Sequence, residues 1–291
     1  MLYEVRFDLL SPLHIGWHPA GNILRTRPYV PGKTLWGAVT AALAESGGPR
    51  SATRYEDMGH LVEAFLRFGY FLPVAKGSTP AQFPGTAELR DSIFQYLFLD
   101  SFASTAIEDA CLAAQPNSLH EIEVLRSRTR PLCDCPAQPV ELVGGLWVAE
   151  GPGLQLKSDD LVWNGRSLVE VLRSIQLGGK RGYGFGRVRL SAFRRTEDVL
   201  SARRTGPYEV VLPAKAAAPA HVIWDHGPVP HQGTVEPWVG REWRESRTGA
   251  AGQFIPPASL CYAPGLVASS DRQTRFQVGQ YGVWTLDPSP L

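Results

Sequence analysis

The chain has 291 residues, of which 44% are hydrophobic and 20% charged, and its formal net charge is +1. Such a composition excludes a disordered or fibrous chain, is long enough for two compact domains, and gives no average charge that would announce a polyanionic partner. Cys133-Asp134-Cys135 is too tight for a zinc knuckle, so with Cys111 and Cys261 these cysteines read as reduced thiols, with no metal or cofactor implied.

The start, MLYEVRFDLL, is charged from its fourth residue and carries no apolar run, and no later stretch approaches a membrane span. The expectation is a cytoplasmic protein with no membrane partner. Tyr3, Val5, Phe7 and Leu9 alternate with Glu4, Arg6 and Asp8, which predicts a strand with one buried face. Ser11-Pro12 ends it, and LHIGW follows as an irregular or extended piece. Pro31-Gly32 opens a helix whose Leu35, Trp36, Val39 and Leu43 share a face, and Gly47-Gly48-Pro49 stops it.

A second helical pattern runs near His60 to Phe68, and YFLPV reads as a strand. Residues 75–89 read as a surface loop, rich in Gly, Pro, Ser and Thr. Leu89 to Ala114 is partly helical. Leu119 to Arg130 is extended or a hairpin, with Arg126, Arg128 and Arg130 alternating. LVGGLWV is a strand, and Ser167 begins a helix with Leu168, Leu172 and Ile175 spaced for burial. That helix runs into LGGKRGYGFGRVRLSAF, which leaves as a strand through Val188 and Leu190.

Composition shifts at Thr205. PAKAAAPAH reads as a linker or loop, and short strands are expected at YEVVL, HVIW and RFQVGQYGVWTL. His221, His226 and His231 fall in a Pro/Gly-rich stretch and read as a surface loop rather than a metal site. The mixture of strands and packed helices predicts an α+β protein, and the strand, helix, strand order at the start fits a ferredoxin-like unit. The expected division is a domain over 1–204 and a smaller β-rich domain over 205–291.

Local charge departs from the mean. From Arg166 to Arg204 there are ten basic residues against three acidic ones, a local +7. Local charge sets the field that a ligand meets. Inside this stretch, Gly178, Gly179, Gly182, Gly184 and Gly186 place five glycines within nine residues. Glycine permits positive φ and close approach of a ligand to the main chain, and successive N–H groups in such a bend can hold an anion. Lys180, Arg181 and Arg187 add charge, while Tyr183 and Phe185 are candidates to stack on bases.

A dinucleotide fingerprint fails here, because a frame begun at Gly184 ends on Arg189 and a strand follows. Substituting Val for Gly182 or Gly184 is expected to weaken binding if positive φ is needed there. A glycine-rich hairpin with a solvated basic rim is the simpler alternative. Gly32-Lys33-Thr34 is no nucleotide P-loop, since the required upstream glycine is Arg27. As a helix start it offers unpaired N–H groups and the positive dipole end to phosphate, with Arg25, Arg27 and Lys33 reinforcing it.

Taken together, Leu13-His14-Ile15-Gly16, Tyr29-Val30-Pro31-Gly32-Lys33-Thr34-Leu35-Trp36-Gly37-Ala38 and the loop Gly178 to Gly186 resemble the RAMP superfamily of CRISPR-associated proteins. The resemblance covers roughly the first 195 residues. It implies a ferredoxin-like, RRM-related fold that binds CRISPR guide RNA, with the glycine loop, the helix start and His14 among the RNA-binding residues. Backbone subunits that cut target RNA carry an Asp between the two N-terminal motifs. Here the segment Trp17 to Pro28 has no carboxylate.

The layout looks more like the single-copy subunit that caps the guide 5′ tag in type III effector complexes. That implies the large subunit and the backbone subunits as partners, no catalysis of its own, and a second, degenerate ferredoxin-like domain. Three other readings stay open, one of them a backbone subunit of the same complex. A metal-independent guide-processing endoribonuclease would use His14 or His18 as general base. A protein scaffold without RNA contact would use the Trp-rich C-terminal region as its interface.

Overall fold

The computed structural model describes residues 1–45, 52–78, 80, 83–133, 135–151, 153–157, 160–163, 165–223, 230–240, 255 and 258–287. The alternating N-terminal segment forms strand β1 (Leu2–Leu9). Its Tyr3, Val5, Phe7 and Leu9 all enter one core. Hairpin strands β2 (Gly16–Ala20) and β3 (Ile23–Thr26) follow, then helices α1 (Gly32–Glu45) and α2 (Ala52–Phe65), and strands β4 (Leu66–Phe68) and β5 (Leu72–Ala75).

β1 is central in the first sheet. Strand Val140–Val148 pairs antiparallel on one side of it and strand Val188–Thr196 on the other, while β4 and β5 add beyond Val140–Val148. Helix α1 precedes β4 and β5, and helix Leu168–Ser174 connects the two strands that flank β1. This βαββαβ path through an antiparallel sheet is ferredoxin-like. Leu35, Val39 and Leu43 of α1 bury against the face made by β1, together with Leu168 and Leu172. A second sheet holds β2, β3, β6 (Leu99–Ser104) and strand His120–Leu125.

The opposite face of the first sheet presents Leu2, Val143 and Trp147 to the C-terminal part, so the two portions share a core with Phe276 and Trp284. The C-terminal sheet is built on strands Glu209–Leu212, Thr274–Val278, Trp284–Leu286, Val222–Ile223, Ser259–Tyr262 and Val235–Trp238. The hairpin Asp198–Arg204 joins its edge. Among the described residues this sheet carries no α-helix, only the 3-10 turn Gln280–Gly282. No helix among them is long and apolar enough to cross a membrane.

Several expectations are corrected. The helix near His60 stops at Phe65, because Leu66 and Phe68 alternate inward and pair with Val148 and Leu146. The stretch 75–89 is not all surface: Phe83 is 1% exposed and meets Tyr29 edge to face, and Thr86–Leu89 is a helical turn. From Ala216 on, the segment read as a linker or loop is core, while Pro213 and Lys215 are exposed. Ala216, Ala217, Ala218 and Ala220 are buried, and Ala217–Ala218 pairs with Leu266–Val267. Small side chains make a strand look like a linker by composition while letting it pack closely. His221 is fully buried instead of lying on a surface loop. His226 and Trp224 lie outside the described residues.

Candidate nucleic-acid interface

The glycine loop is a closed excursion. Ser167 Oγ accepts from the Glu170 N–H and caps the helix that leads in. Beyond it, Leu177 N–H donates to Gly186 O at 2.9 Å and closes the neck. Gly179 N–H donates to His14 O and Gly186 N–H to Pro12 O, which fastens the loop to the segment after β1. The tip is a 3-10 turn at Arg181–Tyr183, entered through Lys180 at φ 57° and left through Gly184 at φ 82°.

Three of the five glycines hold positive φ: Gly178, Gly184 and Gly186. A Cβ at Gly186 would stand 1.8 Å from Leu177 O, and one at Gly178 would stand 2.4 Å from His14 O. Gly182 differs. Its φ is not positive and a Cβ there meets open space, so the expectation that Gly182 needs glycine geometry is corrected.

The two loop aromatics divide. Tyr183 is 56% exposed, with Lys180 Nζ 5.9 Å from its ring centroid. Phe185 is 8% exposed and packs on Ile122, Val124 and Phe102, so it anchors the loop and does not stack on a ligand. Phe185→Ala is expected to cost about 3 kcal/mol of stability, read in urea unfolding, because it empties that contact. Tyr183→Ala should cost almost nothing in the same measurement.

A cleft of about 610 Å³ joins three parts of the chain that are distant in sequence. Gly178, Gly179 and Arg181 bring the loop, and Lys33, Thr34, Gly37, Ala38 and Ala41 bring one side of α1. Arg27, Ile15 and Tyr55 contribute as well, and Trp238, Val239 and Gly240 form the C-terminal wall. No Asp or Glu lines it among the described residues. Burial pushes the Tyr55 hydroxyl up to about 12, against the opposing pull of the Arg181 charge. Lys33 Nζ sits 5.1 Å from the Trp238 ring centroid and 4.9 Å from that of Tyr281, in cation–π range of both.

The helix start is narrower than its sequence suggests. Gly32 turns inward, where a Cβ would meet Phe68 O at 2.1 Å, and the Thr34 N–H already donates to Pro31 O. What this end turns toward the cleft is Lys33 and Thr34. Lys180, Arg187, Gly184 and Gly186 stand outside the cleft lining. Arg25 pairs with Glu123 at 3.0 Å and lies on a different surface. His14 is 6% exposed and its Nδ1 lies 2.7 Å from Glu123 O.

Behind the cleft wall runs a buried polar network. Arg27 is 8% exposed and donates to Tyr29 Oη at 2.8 Å and to Glu236 Oε1 at 2.7 Å. His221 Nε2 lies 2.5 Å from Glu236 Oε1, and its Nδ1 lies 2.6 Å from the Tyr70 hydroxyl. These partners fix the neutral ring: Nε2–H donates to the carboxylate and Nδ1 accepts from Tyr70. Burial alone would raise the Glu236 carboxyl, but the His221 hydrogen bond and the Arg27 charge outweigh it and hold the group at about 2. Burial lowers His221, offset in part by Glu236.

Sequence reasoning did not single out Tyr55, Gln176, Ala41 or the Trp238–Gly240 wall, and it met Gly37 and Ala38 only as the end of the helix-start motif. A signal existed for the α1 residues. Gly37, Ala38 and Ala41 sit at helical spacing opposite Leu35, Val39 and Leu43, a small face beside a large one.

Comparison with solved structures finds chains of a type III-B Cmr-beta complex studied by cryo-EM. A chain of the complex bound to cognate target RNA matches at 10% identity and a TM-score of 0.41, covering 66% of this chain and 97% of that one. The apo state gives the same values. A chain of the complex bound to cognate target RNA and AMPPnP, state 1, matches at 10% identity and a TM-score of 0.45, covering 90% of this chain and 84% of its own. No protein-family model matches the sequence, and no curated protein matches it.

Proposed function

We propose that the chain is an RNA-binding subunit of a type III CRISPR effector complex, one that seats the 5′ tag of the guide in the cleft and performs no catalysis itself. The observation that carries the binding role is convergence. The glycine loop and the PGKT helix start, about 140 residues apart, line one cleft that presents Lys33 and Arg181, with Arg27 recessed in its wall and paired with Glu236, and no carboxylate in the lining among the described residues. A polyanion gains there by releasing counterions, and small residues let its backbone approach the floor. The order of the LHIG, PYVPGKT and glycine-loop motifs supports the CRISPR assignment.

In this reading the protein would hand the tag end of the guide to the large and backbone subunits. The nuclease alternative loses weight on geometry. His14 braces the Glu123 carbonyl from a buried position, whereas a general base must reach the ribose hydroxyl, which leaves the exposed His18 as that reading's candidate.

The test is RNA binding across a potassium chloride series. Lys33→Ala with Arg181→Ala should weaken binding of repeat-derived RNA and reduce the log–log salt slope by about 0.7 per lost phosphate contact, about 1.4 together. An unchanged slope would remove the cleft as the phosphate site. Clean cleavage of repeat RNA in EDTA, lost in His18→Ala or His14→Ala, would replace the binding role with a nuclease.

A further inference from the structure

The cleft accounts for Arg181, yet most of the charge from Arg166 to Arg204 lies elsewhere. Strand Val188–Thr196 is the outer strand of the first sheet. It pairs with β1 along one side, and among the described residues its other side has no strand partner. At a rise of about 3.3 Å per residue the strand runs for roughly 27 Å from the neck of the glycine loop. Arg187 stands at the loop end. Arg194 and Arg195 stand at the far end, opposite Glu4 and Tyr3. Three residues beyond Arg195 the chain enters the hairpin Asp198–Arg204, where Arg203 lies across from Asp198.

All four of these arginines are exposed. None has an ion pair or a side-chain hydrogen bond among the described residues. Their neighbours show that pairing was available: Arg189 holds Asp8 at 2.6 Å and Arg204 holds Glu197 at 2.8 Å.

Charge on an outer strand also blocks edge-to-edge aggregation. That duty is met by a charge in any state, including the paired Arg189. It does not explain why the unpaired cations form a row that begins at the glycine loop and continues past the end of the strand. A row of exposed guanidinium groups that hold no ion pair among the described residues, along the edge of a sheet, suits a chain of phosphates. Arg194 and Arg195 lie on opposite faces of the strand by alternation, so both flank a ligand that follows its edge.

We propose that Arg187, Arg194, Arg195 and Arg203 form a second contact track for the sugar-phosphate backbone of single-stranded RNA, continuing from the glycine loop along the outer strand to the Asp198–Arg204 hairpin. The track rests on the RNA-binding reading of the cleft and extends it. The contact is to phosphate, so it carries no base preference.

The experiment uses the full chain and two oligouridylates, of about 6 and about 16 nucleotides, in fluorescence anisotropy over a potassium chloride series. The triple variant Arg194→Ala, Arg195→Ala, Arg203→Ala should leave the short RNA unchanged. For the long RNA it should lower the salt slope by about 2, three contacts at about 0.7 each. The Lys versions of the same three positions should restore the slope, and they serve in place of the Ala variant if that one fails to fold, against a Gln triple.

An unchanged slope for the long RNA overturns the track and leaves the strand as a site for another protein chain. Equal losses for both lengths overturn it too, since the arginines would then belong to the cleft site. Loss of short-RNA binding in the Lys33 and Arg181 variants reads the cleft separately, so failure of one site is distinguishable from failure of the other.

Discussion

Gly186→Ala is expected to destabilise the protein by about 3 kcal/mol or more and to weaken RNA binding at least about tenfold. The first part follows from two independent strains. At φ 78° an alanine sits in the left-handed region, which costs about 1–3 kcal/mol. Its Cβ would also stand 1.8 Å from Leu177 O, a backbone atom that no side-chain rotation can move away. Relief requires opening the neck, where Leu177 N–H donates to Gly186 O. Opening it displaces Gly178, Gly179 and Arg181, which line the cleft a few residues away. A tenfold loss is about 1.4 kcal/mol of binding, a modest share of what several misplaced contacts would forfeit.

The matched control is Gly182→Ala in the same loop. There the added methyl meets nothing and φ is not positive, so stability and affinity should both stay at the wild-type level. Urea unfolding and anisotropy titration read the two effects. Equal behaviour of the two variants would mean that the loop does not depend on the geometry of its neck.

The loop also shows what a sequence can and cannot reveal. Five glycines announce a bend with unusual backbone angles, and that much is local. Which glycines need their freedom is decided by what stands opposite: Leu177 O for Gly186, His14 O for Gly178, open space for Gly182. The same holds for Tyr183 and Phe185. Both are aromatic residues set between glycines, and only the position of Ile122 and Val124 separates an anchor from an exposed ring.

The framework elements were legible for the opposite reason. β1 and α1 carry their burial in a repeating pattern, and Pro31-Gly32 marks a helix start in two residues. The alanine-rich segment at 216–220 has no pattern to read, because small residues suit an exposed linker and a close-packed strand equally well. The C-terminal wall of the cleft was hidden by distance. Arg27 looks like a spare cation until Glu236, more than two hundred residues later, is brought against it.

That pairing leads to the second large effect. Glu236→Ala should cost about 3–5 kcal/mol near neutral pH, the penalty for leaving a buried cation without its counter-charge. Arg27 keeps its proton and, at 8% exposure in the cleft wall, is too shielded for water to replace the carboxylate, and His221 would lose the acceptor of its Nε2–H at the same time. Arg27→Ala should cost less, because Glu236 keeps His221. The double variant should be less damaged than the two single costs combined, the mark of a direct coupling.

Acidification should act on the same network in the wild type. Both titrating groups have pKa values depressed by the fold, Glu236 to about 2 and His221 to below its ordinary value. The unfolded chain therefore binds more protons across this range, and stability falls as pH falls. His221 contributes fully above about pH 6.5, and its share is lost as pH drops below that. Glu236 contributes fully above about pH 4.5 and loses its share toward pH 2. Urea unfolding of wild type and Glu236→Ala from neutral pH to about pH 4 reads both claims. The variant should start lower, and its curve should lack the steepening that the Glu236 carboxyl adds as the pH approaches its unfolded value. A variant within about 0.5 kcal/mol of wild type near neutral pH would show that the C-terminal sheet is held against the cleft by apolar contact alone.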